Sequence, residues 1–208
     1  AIVPQPDWHG DFRDFKKLGR PKLFFGISPG CMDSMVNKYT ANKRLRSIDE
    51  YSPDGRHDCR PDYPTIVYSQ ILKKLYPDIP VILGGIEASM RRLTHYDYWQ
   101  DKLRRCILCD SGADMILYGS GTKSIIQISK DIESGMSVNE MHNIPQTVYL
   151  AKEGDINGGI KDDDIILHSH EECLANKKAE AENYRHIEEE SNKIHAQRLL
   201  QQTGKVFA

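Results

Sequence analysis

Two short stretches gather the side chains that grip anions and fix polar ligands. In EASMRRLTHYDYW, residues 87–99, Glu87, Arg91, Arg92, His95, Asp97, Tyr98 and Trp99 crowd one segment. Guanidinium groups clamp carboxylates or phosphates through paired N–H donors, and an adjacent Trp or Tyr can cover a flat ligand. On a helix, Ser89 and Arg92, or Arg91 and His95, would share a face. The second stretch, SPGCMDSMVNKYT at residues 28–40, supplies Ser28, Asp33, Ser34 and Asn37. Gly84 and Gly85 directly precede the first stretch, and bare backbone there lets the chain turn with positive φ or lie against something bulky. The candidate ligand-binding set is therefore Ser28, Asp33, Ser34, Asn37, Gly84, Gly85, Glu87, Arg91, Arg92 and His95. A simpler reading of the same residues is an internal ion-pair network that ties a helix to a polar loop. No catalytic residue is assigned, because no nucleophile elbow, paired catalytic carboxylates or complete metal signature occurs.

Other motifs fall short of the chemistry they suggest. GSGTKS, residues 119–124, follows a strand-like run and opens a helical one, but a phosphate loop needs glycine where Leu117 and Thr122 stand. Its helix start can still receive an anion, though a simple cap explains it better. CILC, with Cys106 and Cys109, is half a zinc site. HSHEEC offers His168, His170 and Cys173, with no further cluster to complete a ligand set. DWHG begins a D-x-H-x-x-G corrin pattern, but Phe12 occupies the glycine position. No metal site is assigned.

The elements that must position these residues follow from apolar spacing. Strand-like runs are Ala1–Val3, Leu23–Ile27, Val81–Leu83, Met115–Leu117, Thr147–Leu150 and Ile165–Leu167. Val67, Ile71 and Leu75 predict a helix over 65–76 that Pro77 ends. A second helix is expected over about 91–108, and a third after Thr122 as N-cap, closed by Gly135. Strands alternating with helices predict an α/β, Rossmann-like domain with a mostly parallel sheet flanked by helices. In such a sheet both candidate stretches follow strands and lie on one rim, where ligands of open α/β sheets sit. Residues 40–64 read as an extended polar loop. Glu171–Gln202 reads as one long charged helix with a thin apolar stripe and a Glu189–Lys193 pair. The expected division is 1–168 for the α/β domain and 169–208 for the helix.

Composition narrows the classes further. The chain has 208 residues and a net charge of −2, which argues against nucleic acid as a partner. No apolar run nears the roughly 20 residues of a membrane span, and no secretory signal is seen. Five unevenly spaced cysteines suit reduced thiols in a cytoplasmic setting better than a disulfide framework.

GISPGCMDSMVNKYT (residues 26–40), KRLRSIDEYSPDG (43–55) and VILGGIEASMRRLTHYDYW (81–99) together resemble the amino-terminal region of the YgiQ family of radical SAM proteins. The resemblance covers nearly the whole chain. It implies a large cytoplasmic bacterial protein in which this region precedes a radical SAM barrel. In that barrel a CxxxCxxC triad binds a [4Fe-4S] cluster, leaving one iron open for S-adenosylmethionine. This chain has no CxxxCxxC, so neither group is expected in it. The resemblance also implies another strand and helix ahead of AIVPQPDW, leaving this sheet short of its first strand. VILGG resembles the Gly-Gly strand end of cobalamin domains in some relatives, which keeps a corrin open as a second cofactor, although D-x-H-x-x-G is missing. The chain is thus expected to be an accessory domain of a radical SAM enzyme. It would position a small-molecule or macromolecular substrate or a second cofactor, without being catalytic itself. The alternative is an interaction module that docks the barrel of the same parent chain.

Overall fold

A computed structural model describes residues 1–208. In chain order the elements begin with α1 (Arg13–Lys16), β1 (Phe25–Ile27), α2 (Ser34–Lys38), α3 (Pro64–Leu75), β2 (Val81–Leu83) and α4 (Gly85–Met90). A hairpin of β3 (His95–Asp97) and β4 (Lys102–Arg104) follows, then α5 (Ile107–Ser111), β5 (Met115–Leu117), α6 (Thr122–Glu133) and β6 (Thr147–Val148). The chain ends in β7 (Ile165–Leu167), α7 (His170–Ala175), α8 (Lys177–Ser191), β8 (Leu199–Thr203) and β9 (Val206–Phe207).

The main sheet has the order β1-β2-β5-β6, the first three strands parallel and β6 antiparallel. Successive strand residues face opposite sides, and here both sides are apolar. Val81, Leu83 and Ile116 point into a core with Phe15, Tyr68 and Leu72, beneath α1, α3 and α5. Ile82, Met115 and Leu117 point the other way, onto Ile128 of α6, Val138 and Met141. The fold is the expected α/β, mostly parallel and Rossmann-like arrangement.

Local chemistry sets the helix starts. Tyr63, in a left-handed conformation, precedes α3, and Pro64 takes its first position, where a missing N–H costs nothing. At α6 the N-cap is Gly121 at φ +58°, not Thr122, whose hydroxyl instead donates to Ser120 O at 3.2 Å. Gly135 at φ +95° closes that helix as expected.

Three expected elements differ. Residues 91–108 are not a helix: α4 stops at Met90, and the β3–β4 hairpin and short α5 take their place. The hairpin segment is rich in aromatic residues that favour strands, and Asp97 Oδ1 accepts from the N–H groups of Trp99 (2.9 Å) and Gln100 (3.1 Å), which bends the chain. Ala1–Val3 is not a strand, because no neighbouring strand pairs with it. The segment after residue 168 is not one helix. Asn176 adopts extended backbone between α7 and α8 while its side chain accepts from Lys178 N–H at 3.0 Å, and α8 ends at Ser191. Beyond it β8 pairs in parallel with β7, and β9 turns back on β8. Lys193 pairs with Glu190 instead of Glu189.

Truncating Leu83 to Ala removes a fully buried side chain from the central strand. The expected cost is about 2–5 kcal/mol, seen as a lower urea midpoint with an unchanged slope.

Candidate functional site

The carboxyl ends of β1 and β2 form one rim, and the two polar stretches meet there. Gly84 N–H donates to Ile27 O at 2.8 Å, so the second strand ends locked to the first. Gly85 then sits at φ +80°, where a Cβ would lie 2.7 Å from Ser28 Oγ and 3.1 Å from Pro29 Cδ. The bulky thing that the glycine pair accommodates is the loop after β1.

This close approach delivers α4 onto α2. Glu87 is fully buried, and its Oε2 accepts from Ser34 N–H at 3.3 Å and from the Ser34 hydroxyl, while Oε1 accepts from Thr65 N–H at 3.3 Å. One carboxylate thereby joins the first turns of α2 and α3, whose N–H groups lack partners inside their helices. Asp33 caps α2 through Oδ1, bonded to the N–H groups of Met35 (3.0 Å) and Val36 (3.2 Å). Its other oxygen takes Arg91 Nη1 in a buried ion pair. The Arg91 guanidinium also lies 5.8 Å from the Tyr63 ring centroid, with that of Arg104 5.2 Å from the same ring.

A second knot extends the first. Asn37 Nδ2 donates to Asp49 Oδ1 at 2.9 Å, and Asp49 also accepts from Tyr51 N–H (2.9 Å), Ser52 Oγ (2.8 Å) and Arg60 Nη2 (3.0 Å). Burial alone would raise this carboxyl; the four hydrogen bonds outweigh it and hold its pKa at about 2. Lys38 adds ion pairs to Asp58 at 2.8 Å and Asp62 at 2.9 Å. These contacts pin the polar loop of residues 40–64 to the rim.

The remaining candidates diverge. Ser28 is exposed, with its Oγ accepting from Gly30 N–H at 3.2 Å. Arg92 points away from Arg91: it donates to Ser89 O at 2.7 Å and Ser191 Oγ at 3.2 Å, with its guanidinium 4.9 Å from the Tyr118 ring centroid. His95 lies on β3, where burial lowers its pKa to about 4, and its Nδ1–H donates to Leu93 O at 3.0 Å. Spacing along an assumed helix placed Arg91 with His95; the hairpin separates their roles. Asp49, Arg60 and Thr65 belong to the network and are absent from the sequence-derived set. The density of Asp and Arg through residues 43–62 is the signal that points to Asp49 and Arg60; Thr65, which contributes only its backbone N–H, carries none.

Each charge in this network meets its partner within the chain. The arrangement holds backbone segments in place; it does not present a clamp to solvent. Burial pushes the Cys106 thiol up to about 12 and raises that of Cys109, so both CILC side chains rest as packed thiols. No group of three or more His, Cys, Asp or Glu side chains converges on one point. No helix is long and apolar enough to cross a membrane.

The chain is thus a mostly parallel α/β layer whose rim is laced to its loops by buried ion pairs. The chain belongs to the family described as Radical SAM N-terminal, whose family model matches residues 1–208. It is 60% identical over 213 residues to a UPF0313 protein of Bacteroides thetaiotaomicron, covering 97% of this chain and 34% of that protein. A UPF0313 protein of Porphyromonas gingivalis is 57% identical over 204 residues (98% and 32%), and one of Clostridium botulinum is 45% identical over 201 residues (97% and 30%). The chain thus spans about a third of the length of these curated relatives. No solved structure matches it.

Two outcomes follow for the network. Arg91→Ala strands the buried Asp33 carboxylate and should cost about 3–5 kcal/mol in urea unfolding, whereas half-exposed Arg92→Ala should cost less than about 1 kcal/mol. The folded-state pKa of Asp49 lies below its unfolded value, so its stabilisation is complete above about pH 4 and fades as pH falls toward 2. Asp49→Asn should therefore flatten the acid limb of a stability-against-pH curve in that window, by on the order of 2 kcal/mol.

Proposed function

We propose that this chain is the amino-terminal accessory domain of a cytoplasmic radical SAM protein of the YgiQ kind, and that its rim docks the radical SAM barrel of the longer polypeptide. The cluster and S-adenosylmethionine belong to the barrel in this reading, and the domain itself is non-catalytic.

One observation carries it. In α4 and its C-cap, Glu87 and Arg91 face inward and are buried alongside the core residue Ala88, while Ile86 and Met90, four residues apart, stand 43% and 61% exposed. A surface helix ordinarily shows the opposite pattern. Val36, on the adjoining α2, is also exposed. Neighbouring exposed apolar side chains beside an internally paired polar cluster fit a protein contact better than a charged ligand. Positioning a substrate or a corrin at the rim would instead call for outward-facing polar groups, and Asp33, Asn37, Glu87 and Arg91 are turned inward.

Limited proteolysis of the full-length protein tests this. Introducing Ile86→Glu together with Met90→Glu should speed cleavage between the two parts by about tenfold, while amide exchange across Val81–Leu83 stays unchanged. Cleavage at the wild-type rate with both charges present would refute rim docking.

A further inference from the structure

Two loop tips that are far apart in sequence meet on the surface. The stretch KYTANKRLR, residues 38–46, turns back on itself: Tyr39 and Leu45 form an antiparallel bridge, and Thr40 N–H donates to Arg44 O at 2.8 Å. The turn of the β3–β4 hairpin packs against this one. The Tyr98 hydroxyl donates to Ala41 O at 2.6 Å, Lys43 Nζ donates to Trp99 O at 3.3 Å, and the Tyr39 and Trp99 ring centroids lie 5.5 Å apart. Arg46 Nε, bonded to Val36 O (3.3 Å) and Tyr39 O (3.1 Å), ties the basic turn back to α2.

The aromatic rings are held while their faces stay open. Tyr96 and Tyr98 continue the strand alternation on either side of buried Asp97, so both stand on the outer face of the hairpin, 56% and 48% exposed. Both hydroxyls are engaged, that of Tyr96 with Asp101 and that of Tyr98 with Ala41, which fixes the rings and leaves their carbon surface to solvent. Cations accompany them. Lys43 Nζ lies 4.7 Å from the Tyr98 ring centroid, and Arg44 and Arg46 are exposed beside it in the chain. Among the cations of residues 38–46 only Lys38 is neutralised, by Asp58 and Asp62. The acids that touch this cluster are therefore already taken, Asp58 and Asp62 by Lys38 and Asp101 by Tyr96. The net charge of −2 for the whole chain hides this local excess, since residues 38–46 contain no acid at all.

We infer that the two tips form a platform for single-stranded nucleic acid, with bases stacking on Tyr96 and Tyr98 and phosphates held by Lys43, Arg44 and Arg46. Aromatic faces accept any unpaired base, and neighbouring cations take the charge of the backbone. A duplex keeps its bases stacked on one another and offers these rings nothing. An acidic peptide would satisfy the cations and leave the two open rings unused. A purely apolar protein surface would bury the cations without counter-charge, which is costly. The overall charge argues against wrapping a long nucleic acid, and a surface of this size asks only for a few nucleotides. The inference uses none of Ile86, Met90 and Val36, so it stands apart from rim docking.

Fluorescence anisotropy of labelled oligouridylate and oligothymidylate, each about 12 nucleotides long, titrated with the full-length protein tests it. Binding of either strand that depends on these residues supports the inference. Tyr98→Leu keeps bulk but loses the ring and should weaken binding about tenfold, whereas Tyr98→Phe loses only the hydroxyl and should leave it unchanged. Replacing Lys43 and Arg44 together by Ala should reduce the slope of log affinity against log salt by about 1.4. Absence of binding at about 0.1 mM protein would overturn the inference. So would equal affinity for a duplex of the same length, affinity unmoved by Tyr98→Leu, or equal displacement by polyglutamate, which signals an acidic peptide. If Tyr98→Leu loosens the hairpin, Arg44→Ala alone still decides, through an expected loss of about 0.7 in the salt slope against none.

Discussion

The buried carboxylate of Glu87 is the constraint on which the rim depends. An ionised group with no exposure is costly unless hydrogen bonds replace its water. The chain meets that demand with the Ser34 N–H and hydroxyl and the Thr65 N–H, drawn from the first turns of two helices. Such donors have no intrahelical acceptor and carry partial positive charge, so one anion satisfies groups that would otherwise need water. The geometry in turn requires α4 to lie hard against the loop after β1, which only a glycine at position 85 permits. Sequence, backbone conformation and buried charge thus constrain one another.

That constraint shapes the outward surface as well. Turning Glu87 inward fixes the rotation of α4 and brings Arg91, four residues on, to Asp33. The same rotation leaves Ile86 and Met90 in solvent. The apolar exposure at the rim is therefore a consequence of the polar interior, and replacing Ile86 or Met90 by a charge would leave the network intact. A surface set up this way has shape and apolar character but little charge of its own, which suits contact within one polypeptide more than capture of a free anion.

Much of this was legible in the sequence. Uninterrupted apolar runs at Val81–Leu83 and Met115–Leu117 announce strands buried on both faces, and their alternation with helical spacing gives the parallel sheet and the shared rim. Asp33, Ser34, Glu87 and Arg91 were recognisable as a group because each follows a strand of that sheet. Their direction was not recognisable, since types and spacing are the same whether a carboxylate faces a ligand or a helix N-terminus. The expected helix over 91–108 misread a segment in which Thr94, Tyr96 and Asp97 favour strand and turn. The long charged helix hid its break at Asn176, an ordinary helix residue by charge pattern but a strong cap by its side chain.

Ala1–Val3 shows the limit in another form. Its composition is that of a strand, yet strand formation is a property of two chains, and propensity contributes little without a neighbour to bond.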